Sequence, residues 1–323
     1  MSNEPAADAV TVGLHILDVL GRPVTRIPPG QEVEFLEEIT ITVAGTAAAT
    51  AVDLARLGVR TATVGTVGRD SMGRFLRDRM RAEGVDCSGL TDVDGVQTSA
   101  TILPIRPDGG RPPLHVVGAN AKLTPELIPW PTVERARVLH FGGTGLLPGM
   151  DGEPTAALLR RAKSAGLTVV MDFIPTKDPG FPDRLAACLP YVDYLLPNLE
   201  DACMVAGTDS RAEAIAWYHE RGTGCTVLTM DADGVSVAPN RRPELLLPAY
   251  AVDAVDSTGC GDAFSAGFIT ALLDGADAYE AAELGLAAGS LVATGLGSDA
   301  GLTDRPALES FAAATPRHAP AAG

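Results

Sequence analysis

The stretch Val255-Asp256-Ser257-Thr258-Gly259-Cys260-Gly261-Asp262-Ala263-Phe264 leads from an extended segment through a glycine-bracketed turn into an almost wholly apolar helix. Glycines at 259 and 261 let backbone N–H groups converge without side-chain interference. Those groups stand at the positive end of the following helix dipole, so the turn is suited to hold an anion. Asp262, the last residue of the turn, is placed to take a proton from a hydroxyl attacking a phosphoryl group held by the amides of Gly259, Cys260 and Gly261. The layout predicts phosphoryl transfer to an alcohol.

A bare Gly-x-Gly-Asp is more often a tight turn with an Asp N-cap. Here the longer string decides. Asp256-x-Thr258-Gly259-x-Gly261-Asp262-Ala263-Phe264 resembles the C-terminal signature of the ribokinase-like carbohydrate kinases, the PfkB family, and the similarity extends over nearly the whole chain. The resemblance implies ATP and Mg²⁺ as cofactors and a sugar, polyol or nucleoside as acceptor. It also implies an α/β fold, a ribokinase-like three-layer sandwich with a mostly parallel central sheet flanked by helices and a small β-sheet lid.

Composition agrees. A chain of 323 residues at 46% hydrophobic fits one large α/β domain, expected over 1–315, rather than two equal ones. The 25 basic and 41 acidic residues give −16, with no Lys/Arg cluster to track a phosphate backbone, so nucleic acid is a poor partner. Cysteines 87, 188, 203, 225 and 260 are odd in number and scattered, which fits a reducing cytoplasm better than a disulfide framework or a metal site. The N-terminus has no basic n-region, and no stretch reaches membrane-spanning length without polar interruption.

Val-rich runs read as strands at Val10 to Leu17, Thr61 to Val67, Val138 to Phe141, Leu167 to Phe173, Tyr194 to Leu196 and Thr226 to Met230. Between them helical patterns cover Thr46 to Leu57, Ser71 to Glu83, Glu153 to Ala165, Leu199 to Ala206, Arg211 to Arg221, Gly261 to Leu273 and Ala278 to Ala293. Such alternation argues for a mostly parallel sheet with ligands at the carboxyl ends of its strands. Two segments break it, at about 20–43 and 96–118, and both look like antiparallel excursions. The resemblance makes these the lid, which in the family often also joins two subunits, so a homodimer through the lid is expected. The Ala/Pro-rich tail over 316–323 reads as disordered.

On the sugar side, Val12 to Asp18 resembles the family's opening strand, whose final Asp holds substrate hydroxyls. Ala44-Gly45-Thr46-Ala47-Ala48-Ala49, with Ala55-Arg56-Leu57-Gly58 behind it, resembles the first signature, but Ala44 replaces a Gly and Ala49 replaces an Asn that bonds sugar hydroxyls. Asp18, Gly45, Ala49 and Asp262 are thus the implied acceptor-binding set, with one donor and acceptor missing at 49. Asp70, in the following block, reads as a helix N-cap.

On the nucleotide side, Pro197-Asn198-x-x-Asp201 resembles the family's Pro-Asn-x-x-Glu, with the shorter acid at the residue that orders magnesium waters. Thr229 to Gly234 resembles the Thr-x-Gly-x-x-Gly loop, with Asp231 in place of its first Gly, where a carboxylate would repel phosphates. Asn198, Thr229, Gly234 and Gly261 are the implied ATP contacts. In potassium-activated relatives the matched cation positions are Asp256, Thr258, Val292, Gly295 and Gly297, which admits K⁺ here.

Gly-x-x-x-x-Gly-Lys-Ser/Thr, His-Glu-x-x-His and Gly-x-Ser-x-Gly are all absent. His140 reads as a satisfied core or strand-end histidine. Cys260 reads as a small residue standing where relatives carry Ala rather than as a nucleophile. Besides a sugar kinase, two alternatives stay open: a nucleoside kinase of the same family, and a catalytically weak sugar-binding regulatory descendant.

Overall fold

A computed structural model describes residues 7–298 and 300–319. Its strands are β1 Ala9–Gly13, β2 Ile16–Arg22, β3 Glu38–Ala44, β4 Thr61–Gly68, β5 Asp86–Val93, β6 Ala100–Pro104, β7 Leu114–Val116, β8 Val138–Thr144, β9 Thr168–Phe173, β10 Tyr194–Leu195, β11 Cys225–Thr229, β12 Val235–Pro239 and β13 Leu245–Leu247. The α-helices are α1 Ala48–Arg56, α2 Ser71–Ala82, α3 Trp130–Val133, α4 Glu153–Ser164, α5 Phe181–Ala186, α6 Leu199–Ala206, α7 Arg211–Glu220, α8 Cys260–Leu273, α9 Ala278–Val292 and α10 Arg305–Ala314.

Nine strands form the main sheet in the order β13-β12-β11-β10-β9-β8-β1-β4-β5. Pairing is parallel from β5 to β11 and antiparallel only where β12 and β13 close one edge. Strands β1, β4 and β8 are buried at every residue, as expected of a parallel sheet covered on both faces. One core holds Val10, Val12, Leu139 and Phe141 of the sheet with Leu158 and Leu159 of α4. The opposite core holds Val138, Val170 and Val227 with Phe264 and Phe268 of α8 and Ala281 of α9. The chain is therefore a three-layer α/β sandwich. Strand order reverses around β1, flanked by β4 and β8, and this is where open α/β sheets leave a crevice for ligands.

A second sheet takes the order β3-β2-β6-β7. Its existence follows the expectation, but its start does not. The run from Val10 to Leu17 is not one strand: β1 ends at Gly13 and the chain changes sheets before β2 begins at Ile16. The switch is pinned by Asn120, whose Oδ1 accepts from the His15 amide at 3.1 Å while its Nδ2 donates to the His15 carbonyl at 3.1 Å. One face of this small sheet carries Asp18, Thr42 and Thr101 inward, each under 8% exposed. The other presents Ile39 (67% exposed), Ile102 (57%) and Leu114 (58%) to solvent.

Helix α8 is buried continuously from Ala263 to Ala271, which explains its lack of a polar face. Burying Phe264 and Phe268 contributes about 1.5–3 kcal/mol each, enough to hold the helix start against the sheet. Asp70 does cap α2, accepting from the Gly73 amide at 2.8 Å. Two expectations are corrected. His140 is fully buried, yet neither ring nitrogen has a hydrogen-bond partner, and burial holds its pKa down to about 4, so it is a neutral core residue without the satisfied pairing expected. The tail is ordered at its start: the Ala251 amide donates to the Pro316 carbonyl at 2.8 Å and the His318 amide to the Ala249 carbonyl at 2.8 Å. The remainder of that expectation, residues 320–323, lies outside the described residues. Among the described residues no helix is long and apolar enough to cross a membrane.

Candidate active site

The turn quoted at the outset lies at the carboxyl end of the main sheet, between the two sheets. Gly259 is the N-cap of α8 with φ 81°, a left-handed conformation open to glycine, and a Cβ there would lie 2.3 Å from Ser298 Cα. Gly261 is bare for a different reason, since a Cβ on it would meet nothing within 4 Å. It faces open space at the mouth of a cavity. No side chain caps α8, so its first amides, from Cys260 onward, have no intrahelical acceptor; that of Cys260 makes only a long contact, 3.4 Å, to the Ser257 carbonyl.

Asp262 sits in the first turn of α8, and Thr50 of α1 donates to its backbone carbonyl at 3.4 Å. Its carboxyl is pushed up to about 7, mainly by burial and next by the charge of Asp18, with Arg111 pulling the other way. Asp18, on β2, is pushed up to about 6 by burial, opposed by a hydrogen bond from Thr101 and by Arg111. One of its oxygens, Oδ1, is buried without a partner, as is Oγ1 of Thr46 beside Gly45. These orphaned oxygens are what a polyol hydroxyl would satisfy. Ala49 follows in α1 at 2% exposure.

A cavity of about 380 Å³ runs from this turn to the C-terminal tail. Its lining combines Asn198, Asp201, Thr229, Gly234 and Gly261 with the mostly apolar group Tyr250, Val252, Phe264, Leu286 and His318. Its size and its mixture of polar and apolar lining fit a nucleotide. Asn198 and Thr229 are joined by a parallel bridge, which unites two segments the sequence could only name separately. Asn198 also caps α6, accepting from the Asp201 amide at 2.8 Å and donating to Asp201 Oδ2 at 2.6 Å. Asp231 lines the cavity with φ 48°, so it keeps the left-handed turn that a glycine would adopt and adds a carboxylate to it.

The five positions matched to a cation site also assemble. The Gly297 amide donates to Asp256 Oδ2 at 3.0 Å, and the Thr258 amide and hydroxyl donate to Asp256 Oδ1 at 3.1 and 2.8 Å. Val292 ends α9, and the Gly295 amide donates to its carbonyl at 3.2 Å. Burial pushes the Cys260 thiol up to about 12, which agrees with its reading as a small residue of the turn.

Sequence reasoning missed four residues at this site. Arg111, from the β6–β7 hairpin, reaches Thr258 across 147 residues of chain. Asp172, at the end of β9, lines the cavity with its carboxyl held well above the usual range by burial, then by Asp262 and Asp201. Tyr250 and His318 line the cavity, and the fold-back of the tail, bridged at Tyr250 and Arg317, brings His318 there. Asp172, the last polar residue of a Val-rich run, was the one with a local signal.

Comparison with known proteins places this geometry. The family described as pfkB family carbohydrate kinase matches residues 6–305. An ATP-dependent ribose-1-phosphate kinase of Halopiger xanaduensis is 32% identical over 259 residues, 77% of this chain and 79% of that one. A ribokinase of Haemophilus influenzae is 27% identical over 270 residues, 81% and 84% of the two chains. Arabidopsis thaliana ribokinase, solved with ribose and ATP, superposes with a TM-score of 0.82 at 23% identity, covering 95% of this chain and 99% of its own. The chain belongs to the pfkB family of carbohydrate kinases and has the ribokinase-like fold; its class is that of an ATP-dependent sugar kinase.

Proposed function

We propose that the protein moves the γ-phosphoryl group of ATP to a hydroxymethyl group of a small sugar or related polyol, with Asp262 as general base. The observation that carries this reading is the position of Asp262 one residue beyond Gly261, whose bare Cα faces the cavity mouth at the uncapped start of α8. The acceptor O–H gives its proton to Asp262 while its oxygen bonds to the γ-phosphorus. The bond from that phosphorus to the β,γ-bridging oxygen breaks, and ADP leaves with the electron pair. The amides of Gly259, Cys260 and Gly261 would face the charge that develops on the phosphoryl oxygens.

ATP would lie with its base in the slot of Tyr250, Val252, Phe264 and Leu286 and its phosphates toward Asn198 and Gly261. A magnesium ion would be held by the phosphates and by water ordered on Asp201, and would supply charge neutralisation. Asp18 would bind acceptor hydroxyls from the small sheet, which acts as the lid. The apolar outer face of that sheet, with Ile39, Ile41, Ile102 and Leu114 half or more exposed, supports a homodimer formed through it.

Ala49, standing where the family's first signature carries Asn, favours a second acceptor class, a riboside with an apolar or aromatic substituent. An ATP-consumption assay across ribose, fructose, a deoxy sugar and a nucleoside, with the product mapped by phosphorus NMR, tests both. Phosphorylation at a hydroxymethyl carbon is expected. ATP turnover without a phosphorylated acceptor would defeat the reading.

A further inference from the structure

The residues matched to the family end at 305, yet the chain beyond them returns to the cavity. Helix α10 ends at Ala314, and the segment behind it pairs antiparallel with the stretch after β13, Arg317 opposite Tyr250. Two backbone bonds hold the pairing: the Ala251 amide donates to the Pro316 carbonyl and the His318 amide to the Ala249 carbonyl, both at 2.8 Å. Arg317 locks it. Its guanidinium lies over the Tyr250 ring at 4.3 Å, donates from Nη1 to the Pro248 carbonyl at 3.0 Å and from Nη2 to Tyr250 Oη at 3.1 Å, and pairs with Glu283 of α9. Successive side chains of an extended segment alternate in direction, so with Arg317 committed to Tyr250 and Glu283, His318 turns the other way. That side is the cavity, since His318 and Ala249 line it and Arg317 does not.

We propose that residues 316–318 form a strap over the nucleotide, with the His318 imidazole packed on the face of the base. This rests on the reading above that the cavity holds ATP. Tyr250, Phe264 and Leu286, which line the cavity with His318, belong to one apolar cluster against which Val252 also packs, surroundings that suit a flat base and not a phosphate. Asp18 and Ala49, on the acceptor side, are not part of this lining. The rings of Tyr250 and Phe264 are already engaged, the first by Arg317 and by Phe311 at 5.4 Å, the second by Phe268 at 6.0 Å. The His318 ring has neither a hydrogen bond nor a ring contact among the described residues, so it is the one left to meet a ligand. The strap also bears on the nucleotide loop. A Cβ on Gly234 would lie 2.0 Å from the Leu247 carbonyl oxygen and 2.7 Å from the Ala249 nitrogen, so the loop from Thr229 to Gly234 packs on the backbone that His318 holds.

The test is isothermal titration of the full chain, without acceptor, by magnesium ATP and by magnesium tripolyphosphate, which carries the phosphates and no base, comparing wild type, His318→Ala, His318→Phe and Arg317→Ala. His318→Ala should weaken ATP by roughly 10-fold, the scale for loss of one ring stacked on a base, and leave the affinity for tripolyphosphate unchanged. His318→Phe should keep most of the ATP affinity, because a flat apolar ring makes the same contact. Arg317→Ala should lose as much as His318→Ala, since the strap is then unlocked. In turnover, the loss should appear in KM for ATP and not in KM for the acceptor. Melting temperatures of the variants report on folding separately. Unchanged ATP affinity in His318→Ala or in Arg317→Ala, or an equal loss of ATP and tripolyphosphate affinity, overturns the strap's hold on the base and leaves the kinase reading intact. A wild type that binds no ATP overturns the nucleotide reading itself.

Discussion

The amide of Gly297 lies 3.0 Å from Asp256 Oδ2, so the loop after α9 is tied to the turn before α8 through one buried carboxylate. The other oxygen of Asp256 holds Thr258, accepting from its amide and its hydroxyl. A monovalent cation at these positions would tighten the same turn. Activity should therefore rise when tetramethylammonium is exchanged for potassium at constant ionic strength. A flat response across potassium, sodium and tetramethylammonium removes the cation site without touching the transfer chemistry.

Asp262 should give activity and stability opposite pH trends. Its carboxyl titrates near 7 in the fold against an ordinary 3.8, mainly through burial, with Asp18 adding to the rise and Arg111 opposing it. A general base must be ionised, so kcat/KM should fall as pH drops through about 7. Stability runs the other way. The folded state holds this proton more tightly than the unfolded chain, so the contribution is present below 3.8 and is lost as pH rises through about 7. Asp262→Asn should accordingly melt higher than wild type at pH 8 and alike at pH 4. Calorimetry at the two pH values checks this; an asparagine variant that melts lower at pH 8 contradicts it.

The hydrocarbon at Ala49 should show in acceptor choice. A common pentose or hexose would leave a hydroxyl unpartnered there, at a cost of about 1–3 kcal/mol. Ribose and fructose should be poor acceptors beside a deoxy sugar or a riboside with an apolar or aromatic substituent, and Ala49→Asn should shift preference back toward the plain sugar. Efficient use of ribose or fructose by wild type, with kcat/KM above ~10⁴ M⁻¹s⁻¹, would refute the argument.

Covering the outer face of the small sheet should require a second copy of the chain. Ile102→Asp together with Leu114→Asp puts charge on two positions that are 57% and 58% exposed, so folding should survive while the dimer dissociates. Analytical ultracentrifugation reads the outcome. A wild-type monomer at micromolar concentration would disprove the lid interface.

Local features were legible in the sequence, and features created by the tertiary path were not. The turn from Asp256 to Asp262 announced itself because glycines, acids and the apolar helix behind them are contiguous. The parallel sheet showed through Val-rich runs buried on both faces. By contrast, Val10 to Leu17 reads as one strand because both halves are apolar; the change of sheet depends on Asn120, 105 residues away. Strand β5 was missed because its Asp86-Cys87-Ser88 start alternates exposed and buried residues without a hydrophobic run. Arg111 carries no local mark, being a hairpin arginine until the fold sets it against Thr258. Composition misled at the tail, where Pro316 and His318 are fixed by backbone bonds that an Ala/Pro-rich string does not advertise.

The central claim, that Asp262 takes the acceptor proton, is tested most directly by the kcat of Asp262→Asn, with ATP affinity measured alongside. Replacing the carboxylate by its amide keeps the shape of the α8 start and removes the proton acceptor. The account predicts a fall in kcat of roughly 10²- to 10⁴-fold with ATP binding retained. An asparagine variant turning over at the wild-type rate would contradict it.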